Sequence, residues 1–486
     1  MFDIQTLHKE NDGLFHATDP QTDEDVIITE MFPTEMWDCK EAFDFAGIKG
    51  YEPMTAKELD TEEAQLEKLN DPNYIIEEKF DGTRALVYFF SQKTVDEKGE
   101  YAGDVGYCRV FSRRISEKTG FYVENTDSLP HIRETDAPAL GGTVLDGEMF
   151  IDGLPFKEVS STLNCLWDKA VSRQIEKGFI TFHAFDILFY RGIDMRKFPL
   201  HRRKYFLHVV LEELKHPYIT EVEYHKCGVD SDFGYLFDDI NKRLKGADYT
   251  EYIIEVQSNR ETYPNLWQCL EDKVPLTPRA YYELIVSTGG EGVMVKPVDG
   301  KYLHKRGWEY SKIKKFLTRE LIVLGFDSPT REYTGKSVKT WAYWEEVSTG
   351  KKFVGNFYGD KNYVPVTKFY FNDLVGNLLL GVFILPSDYE KIPNNKKGQI
   401  YDPDELGIDY DTDYILMQVC ECSGFDDEMR EYFTTHQNEM KGSVVEVKAN
   451  EVFKDSGKFR HPRYMRRRFD KSASECTWDN HVRVGM

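Results

Sequence analysis

The stretch YIIEEKFDGTRALVYFF, residues 74–90, places a charged turn between two apolar runs. Both runs carry the β-branched and aromatic residues that are typical of buried strands, and Asp81-Gly82 is a turn signal. Lys79 lies just before that turn. It is either a solvent-exposed residue at a hairpin tip or a nucleophile, and a nucleophilic lysine needs burial or nearby positive charge to lose its proton. The stretch alone leaves both interpretations open.

The composition is that of a folded protein with more than one domain. With 486 residues, 41% of them hydrophobic and 14% aromatic, the chain has room for two or three cores. No apolar run reaches about 18 residues, so we expect no membrane-spanning segment. The N-terminus lacks the features of a signal peptide, so we expect a cytoplasmic protein. The eight cysteines include no CxxC pair, which favours free thiols over a zinc ribbon.

The charge is distributed unevenly along the chain. The net charge of −22 argues at first against a nucleic-acid partner, because phosphate binding needs a basic surface. Residues 1–71, however, hold 19 acidic and 5 basic side chains. In contrast, GKFRHPRYMRRRFDK, residues 457–471, has seven basic side chains and one acidic. A basic strip on an acidic protein is compatible with DNA binding.

The order of predicted elements indicates an α+β fold with antiparallel sheets. Strand-like segments dominate from residue 75 to about 320, interrupted by helices predicted at 201–215 and from Thr277-Pro278 to Gly289-Gly290. A further helix is predicted over 55–70, with Leu59, Leu66 and Leu69 on one side. Short strands and turns after residue 320 predict a small β-barrel. We expect an acidic segment at 1–50, domains at 51–319 and 320–486, and an insertion near 361–414.

Five further motifs follow Lys79 in a fixed order. They are FSRR (111–114), LDGEMF (145–150), FHAFDILFY (182–190), EGVMVKP (291–297) and YSKIKKF (310–316). Singly, each fits an ordinary turn carboxylate, a core aromatic or a solvated lysine face. Together and in this order they indicate one site.

This series resembles the ATP-dependent DNA ligases, which belong to the covalent nucleotidyltransferases. The resemblance runs from about residue 51 to the end, apart from 361–414. It includes SGFDDE (423–428), VVEVKANEVF (444–453) and FRHPRYMRRRFDK (459–471) in the terminal domain. It implies a nucleotidyltransferase domain of antiparallel sheets with flanking helices, followed by an all-β oligonucleotide-binding (OB) barrel.

The resemblance also implies a role for each motif residue, with ATP as the AMP donor and Mg²⁺ as the metal. Lys79 would attack the α-phosphate of ATP and hold AMP through a phosphoramide bond. The implied nucleotide and phosphate contacts are Glu77 at the adenine amino group, Phe185 stacked on the base, Arg84 and Glu148 around the ribose, Lys296, Lys312 and Lys314 at the phosphates, and Arg113 at the 5′-phosphate of a nick. Mg²⁺ would bind Glu148 and Glu291. In the last motif, Arg468, Asp470 and Lys471, the Asp and Lys would orient pyrophosphate.

The implied partner is nicked double-stranded DNA, and we expect a monomer. One departure is Tyr310, where the family usually has tryptophan. The alternatives are an RNA ligase or a capping guanylyltransferase within the same superfamily. A protein that binds nicks or ends without catalysis is a further alternative, and the presence of Lys79, Glu148, Glu291, Lys312 and Lys314 argues against it.

Overall fold

The structure, a computed structural model, divides the chain into two compact units, Met1–Lys314 and Lys315–Met486. The described residues are 3–10, 14–18, 23, 25–28, 53–59, 61–115, 122–228, 240, 243–244, 249–303, 305–335, 337–453 and 455–483. No helix among them is long and apolar enough to cross a membrane.

The described residues of the first unit form three sheets together with helices. Its strands are β1 (Asp3–Lys9), β2 (Phe15–Thr18), β3 (Asp25–Ile28), β4 (Thr55–Glu58), β5 (Tyr74–Lys79), β6 (Thr83–Val95), β7 (Tyr101–Ile115), β8 (Tyr122–Glu124), β9 (Val144–Phe150), β10 (Thr181–Tyr190), β11 (Ile193–Asp194), β12 (Ile219–Glu221), β13 (Tyr224–Lys226), β14 (Gly292–Pro297) and β15 (Arg306–Lys314). Its helices are α1 (Glu62–Leu69), α2 (Pro130–Arg133), α3 (Phe156–Leu163), α4 (Trp167–Lys177), α5 (Leu200–Leu214), α6 (Tyr249–Ser258), α7 (Pro264–Asp272) and α8 (Pro278–Ser287).

Two large sheets form the body of this unit. One has seven strands in the order β11-β10-β9-β6-β7-β8, with β12 beside β10, and the other has five in the order β13-β5-β14-β15-β4. Residues 85–90 of strand β6 are buried on both faces, which explains their continuous apolar run. Its odd-numbered residues Ala85, Val87 and Phe89 pack under the helices. Its even-numbered residues Leu86, Tyr88 and Phe90 pack towards Tyr302 and Tyr310.

Most strand pairs in this unit are antiparallel, so the predicted α+β class is confirmed. Among the described strands, the parallel pairs are β10 with β12 and β15 with β4. The outer face of the five-stranded sheet packs on α1 and α8 through residues such as Leu69, Ile76 and Ile285. The N-terminal sheet β1-β2-β3 packs separately against α4, where Leu7, Phe15 and Ala17 contact Val171.

Two of the three predicted helices are confirmed, and one prediction is partly wrong. Helix α8 begins after Thr277, whose side chain accepts a hydrogen bond from the Ala280 amide, as the cap pattern predicts. Residues 55–58, predicted as helical, form strand β4 instead, because they pair with β15 far along the chain. The helix begins only at Glu62, and Leu66 within it is 36% exposed.

The second unit contains the predicted OB barrel. Its strands are β16 (Leu317–Phe326), β17 (Tyr343–Glu346), β18 (Lys352–Val354), β19 (Tyr363–Pro365), β20 (Leu378–Ile384), β21 (Ile400–Tyr401), β22 (Ile415–Cys422), β23 (Val444–Ala449), β24 (Glu451–Val452), β25 (Phe459–Arg460) and β26 (Arg463–Arg467). Its helices are α9 (Lys368–Phe371), α10 (Pro386–Lys391), α11 (Asp427–Thr435), α12 (Gln437–Met440) and α13 (Trp478–Arg483).

Five of these strands close on themselves. The sheet runs β21-β22-β20-β16-β23-β26, and a parallel bridge between Ser423, directly after β22, and Arg463 of β26 closes its last five strands. A closed five-stranded barrel of this kind is the OB fold. A separate sheet, β18-β17-β19, lies between the first two barrel strands in sequence. The range 361–414, predicted as an insertion, therefore includes barrel strand β20.

Candidate active site

Lys79 lies in a row of residues that crosses three strands of the five-stranded sheet. It is the last residue of β5 and pairs with Gly292 of β14, which in turn pairs with Lys314 of β15. Side chains in one row point to the same face. Gly292 has a φ of +144°, and a Cβ atom there would lie 2.1 Å from the Ile313 carbonyl oxygen. Only glycine fits between the two lysines, which leaves them facing the same space.

The two lysines share one carboxylate. Lys79 Nζ donates to Glu291 Oε2 and Lys314 Nζ donates to Glu291 Oε1. Lys312 lies two residues before Lys314 on β15, with its Nζ 3.3 Å from Glu58 Oε2. Burial, together with the charge of Lys314, lowers the pKa of Lys312. Three amines gathered with two carboxylates make a site suited to polyanionic groups.

Glu148 faces this cluster from the other sheet. On β9 it pairs with Arg84 of β6 and with His183 of β10. Burial raises the pKa of Glu148 to about 7, and the charge of Glu291 adds to this, while Lys79 and Arg84 oppose it. The mutual effect of Glu148 and Glu291 means that the two predicted metal ligands lie close enough to interact.

The structure aims Phe185 by means of a β-bulge. On β9, Gly147 pairs with Ala184 and Asp146 pairs with Asp186, so Phe185 is the extra residue on β10. A bulge of this kind reorients a side chain beside a functional site. The ring centroid lies 5.1 Å from the Arg84 guanidinium carbon.

Glu77 and Lys296 form a buried ion pair next to that ring. Both are 1% exposed, and Lys296 Nζ is 2.5 Å from Glu77 Oε2. The same Nζ lies 4.6 Å from the Phe185 centroid and 4.5 Å from that of Tyr310. Burial lowers the pKa of Lys296. Lys296 therefore contacts both Phe185, which is predicted to stack on the base, and Glu77, which is predicted to bind the adenine amino group.

Two buried aspartates, Asp146 and Asp186, bind side chains around the site. Arg84 donates to Asp146 at 2.9 and 2.6 Å, and the Tyr302 hydroxyl donates to the same carboxylate at 2.6 Å. Asp186 has the matching arrangement with Arg203 and Tyr310. Although burial opposes it, Arg203 holds the pKa of Asp186 below its usual value. Tyr310 thus supplies a hydrogen-bond donor at the position where we noted a departure from the family.

The other predicted site residues lie elsewhere in the chain. Arg113 is exposed near the end of β7. In the second unit, Arg468 donates to Asp470 through two nitrogens at 2.8 Å and to Glu320 at 2.6 Å. This bidentate contact lowers the pKa of Asp470. Lys471 pairs with Glu475 at 2.9 Å.

The sequence analysis missed residues that contact Lys312 and Glu77, namely Glu58 and Lys204. Glu58 lies in a segment predicted as helix, so nothing marked it. Lys204 carried a usable signal, because helical periodicity places it on the apolar side of α5 with Leu200 and Leu207. Its Nζ is 2.5 Å from Glu77 Oε1. No group of three or more His, Cys, Asp or Glu residues forms a metal cluster in the described part of the chain.

Comparison with known proteins finds similarity to DNA ligases. A family model described as "ATP dependent DNA ligase domain" matches residues 53–231. The chain is 25% identical to DNA ligase 4 of Saccharomyces cerevisiae over 58% of this chain and 25% of that protein. It is 22% identical to a DNA ligase of Saccharolobus solfataricus over 55% of this chain and 35% of that protein.

Among solved structures, a Lig E DNA ligase is 16% identical, with a TM-score of 0.41 over 86% of this chain and 98% of that chain. The chain spans only a quarter to about a third of the two curated relatives. The matched segment contains Lys79, Glu148 and Phe185, whereas Glu291 and the lysines after it follow the segment. Through residues 53–231, the chain is therefore similar to the ATP-dependent DNA ligase domain family.

Proposed function

We propose that the protein is an ATP-dependent DNA ligase that seals nicks between a 5′-phosphate and a 3′-hydroxyl in duplex DNA. The observation that carries this proposal is the arrangement around Lys79, whose amine shares the Glu291 carboxylate with Lys314. An amine held among cations and a proton acceptor is what a lysine nucleophile requires. The match of residues 53–231 to the ligase domain supports the same conclusion.

In the first step Lys79 Nζ attacks the α-phosphate of ATP. A phosphorus–nitrogen bond forms, and the bond to the pyrophosphate oxygen breaks. The ammonium must first lose a proton, and Glu291 Oε2, which already accepts a hydrogen bond from Nζ, is the nearest described acceptor. Lys312 and Lys314 neutralise the charge that develops on the phosphate oxygens. The enzyme then carries AMP on Lys79.

We assign Mg²⁺ to Glu148 and Glu291, where it would supply positive charge to the phosphate oxygens. The residues fit this ion. Magnesium in phosphate-transfer sites takes one or two carboxylates and fills its remaining positions with phosphate oxygens and water. Burial and the neighbouring Glu291 raise the pKa of Glu148 to about 7, and a divalent cation bound by these residues would relieve that cost.

The base would lie on Phe185, with Arg84 and Glu148 beside the ribose and Glu77 at the base edge. An aromatic ring aimed into the site by a bulge is a suitable stacking surface. Because Lys296 contacts both Phe185 and Glu77, the stacking surface and a carboxylate acceptor are neighbours. A carboxylate accepts hydrogen bonds from an amino group and repels a carbonyl oxygen.

In the later steps AMP passes from Lys79 to the 5′-phosphate, and the 3′-hydroxyl displaces it to form the phosphodiester bond. We assign Arg113 to the 5′-phosphate, and Asp470 and Lys471, which share the last motif with Arg468, to the pyrophosphate. We keep residues 51–319 and 320–486 as the functional domains. We also propose that the protein acts as an intracellular monomer on nicked duplex DNA.

The experiment that tests the proposal is an intact-mass measurement after incubation with Mg²⁺ and ATP, GTP or NAD, without DNA. Protein is first treated with pyrophosphate to remove any AMP already bound. We expect a gain of one AMP from ATP only. Lys79→Ala should abolish the adduct, whereas Lys226→Ala, which removes an exposed lysine from β13, should not.

A GMP adduct would indicate capping chemistry, and no adduct from any nucleotide would favour the protein that binds ends without catalysis. If an adduct forms, sealing of a labelled nicked duplex follows as the second measurement. Duplexes with DNA or RNA on each side of the nick distinguish a DNA ligase from an RNA ligase. We expect sealing of the all-DNA nick, and preference for an RNA nick would contradict the assignment.

A further inference from the structure

Lys204 is a buried lysine outside all the motifs that indicate the function. It lies on α5 and is 1% exposed. Its Nζ is 2.5 Å from Glu77 Oε1 and 4.9 Å from the centroid of the Tyr224 ring. Tyr224 pairs with Glu77 across β13 and β5, so its ring covers the ion pair from the neighbouring strand. The motifs of the proposed site do not account for this buried positive charge.

Glu77 has two lysine partners, which is more positive charge than one carboxylate requires. Lys296 holds Oε2 at 2.5 Å, and Lys204 holds Oε1 at the same distance. The two lysines differ in their surroundings. Lys296 lies over the rings of Phe185 and Tyr310, on the side where the base is proposed to stack, whereas Lys204 approaches from the helix.

A base stacked on Phe185 and bonded to Glu77 needs the space that Lys296 occupies between them. Once Lys296 moves off Oε2, Lys204 is the cation that still holds the carboxylate. A buried carboxylate without a cation is costly. Both oxygens of a carboxylate accept hydrogen bonds, so a carboxylate that is held in place distinguishes an amino group from a carbonyl.

We propose that Lys204 is a positioning residue for base selection. It holds the Glu77 carboxylate in place, so that Glu77 accepts a hydrogen bond from the 6-amino group of a purine and rejects a 6-oxo group. Lys296 is then released to the phosphates. This inference rests on the proposed function.

The test compares AMP loading from ATP with loading from purine ribonucleoside triphosphate, which lacks the 6-amino group. The ratio of the two loading efficiencies is measured within one protein preparation, so the fraction of folded protein cancels. We expect the unaltered protein to prefer ATP by about 10- to 100-fold, the effect of one hydrogen bond to a charged group. Lys204→Met should bring the ratio close to 1, and Lys204→Arg should keep most of it. Lys197→Met, which removes an exposed lysine, is the matched control and should leave the ratio unchanged.

The possible outcomes separate the inference from the proposed function. A full preference for ATP in Lys204→Met would overturn the inference while leaving the ligase assignment intact. A loss of preference in Lys197→Met as well would also overturn it, because the effect would then not be specific to Glu77. An unaltered protein that prefers neither nucleotide would overturn it too, since Glu77 would not select the base. Absence of any adduct from ATP in the unaltered protein would refute the proposed function and this inference together.

Discussion

Replacing Tyr310 with phenylalanine removes one hydroxyl group from the carboxylate of Asp186. That carboxylate also accepts from Arg203 at 2.7 and 3.0 Å and from the Ile187 amide at 2.9 Å. Asp186 and Tyr310 are 0% and 2% exposed, so bulk water does not replace the lost donor. A hydrogen bond to a charged group contributes about 1.5–3 kcal/mol. We therefore expect the free energy of local opening of the strands around Asp186 to fall by about 2 kcal/mol.

Hydrogen exchange measured by mass spectrometry on the full-length protein gives this quantity locally. Peptides from β9, β10 and β15 report on the strands that surround Asp186. The ring of residue 310 is retained, so the contact with Lys296 at 4.5 Å persists and the change isolates the hydroxyl. Tyr205→Phe is the matched control, because Tyr205 on α5 is 64% exposed.

Equal exchange rates in the Tyr310→Phe and Tyr205→Phe proteins would refute this reasoning, because the buried hydroxyl would then make no net contribution. Faster exchange confined to peptides of the second unit would refute it as well, since Asp186 and its partners all lie in the first unit. Faster exchange in β9, β10 and β15 alone is the expected result.

Three further predictions concern the backbone, acid stability and DNA binding. Gly292→Ala should abolish AMP loading, because a Cβ atom 2.1 Å from the Ile313 carbonyl oxygen must displace the row that holds Lys79; loading at the rate of the unaltered protein would contradict this. Burial lowers the pKa of His131 to about 4, below its ordinary value of 6.5. The stability it contributes is complete above pH 6.5 and is lost as pH falls through 4, by up to about 3 kcal/mol. Hydrogen exchange at pH 7, 5 and 4 should show this loss in α2, and His131→Gln should reduce it. Binding of nicked DNA should weaken steeply as salt rises, and a flat titration would argue against phosphate contacts.

The sequence predicted the parts of the site that local pattern determines. Lys79 stands before a turn signal, Thr277 and Pro278 mark a helix start, and the alternation of Lys312 and Lys314 places both on one strand face. All three are properties of short segments. The barrel was predictable for the same reason, because its strands are short, apolar and separated by turns.

The remaining features depend on pairings between distant segments. Residues 55–58 read as helix by composition, but pairing with β15 makes them a strand. The bulge at Phe185 appears only when β10 is aligned with β9. The sequence around Glu77 does not indicate its two lysine partners, which lie on α5 and β14. Register and tertiary contact decide such features, and local propensity does not.

The row Lys79–Gly292–Lys314 also has a consequence for how the protein is made. Strand β5 leaves the ribosome long before its partner β14, because Gly292 pairs with Lys79 from more than 200 residues downstream. At synthesis rates of about 5–20 residues per second, that interval lasts roughly 10–40 s. During this time the nascent chain exposes the edge of β5 without the lysine and carboxylate that complete its site. Under the proposed function, Lys79 can therefore be loaded with AMP only after β14 and β15 have emerged.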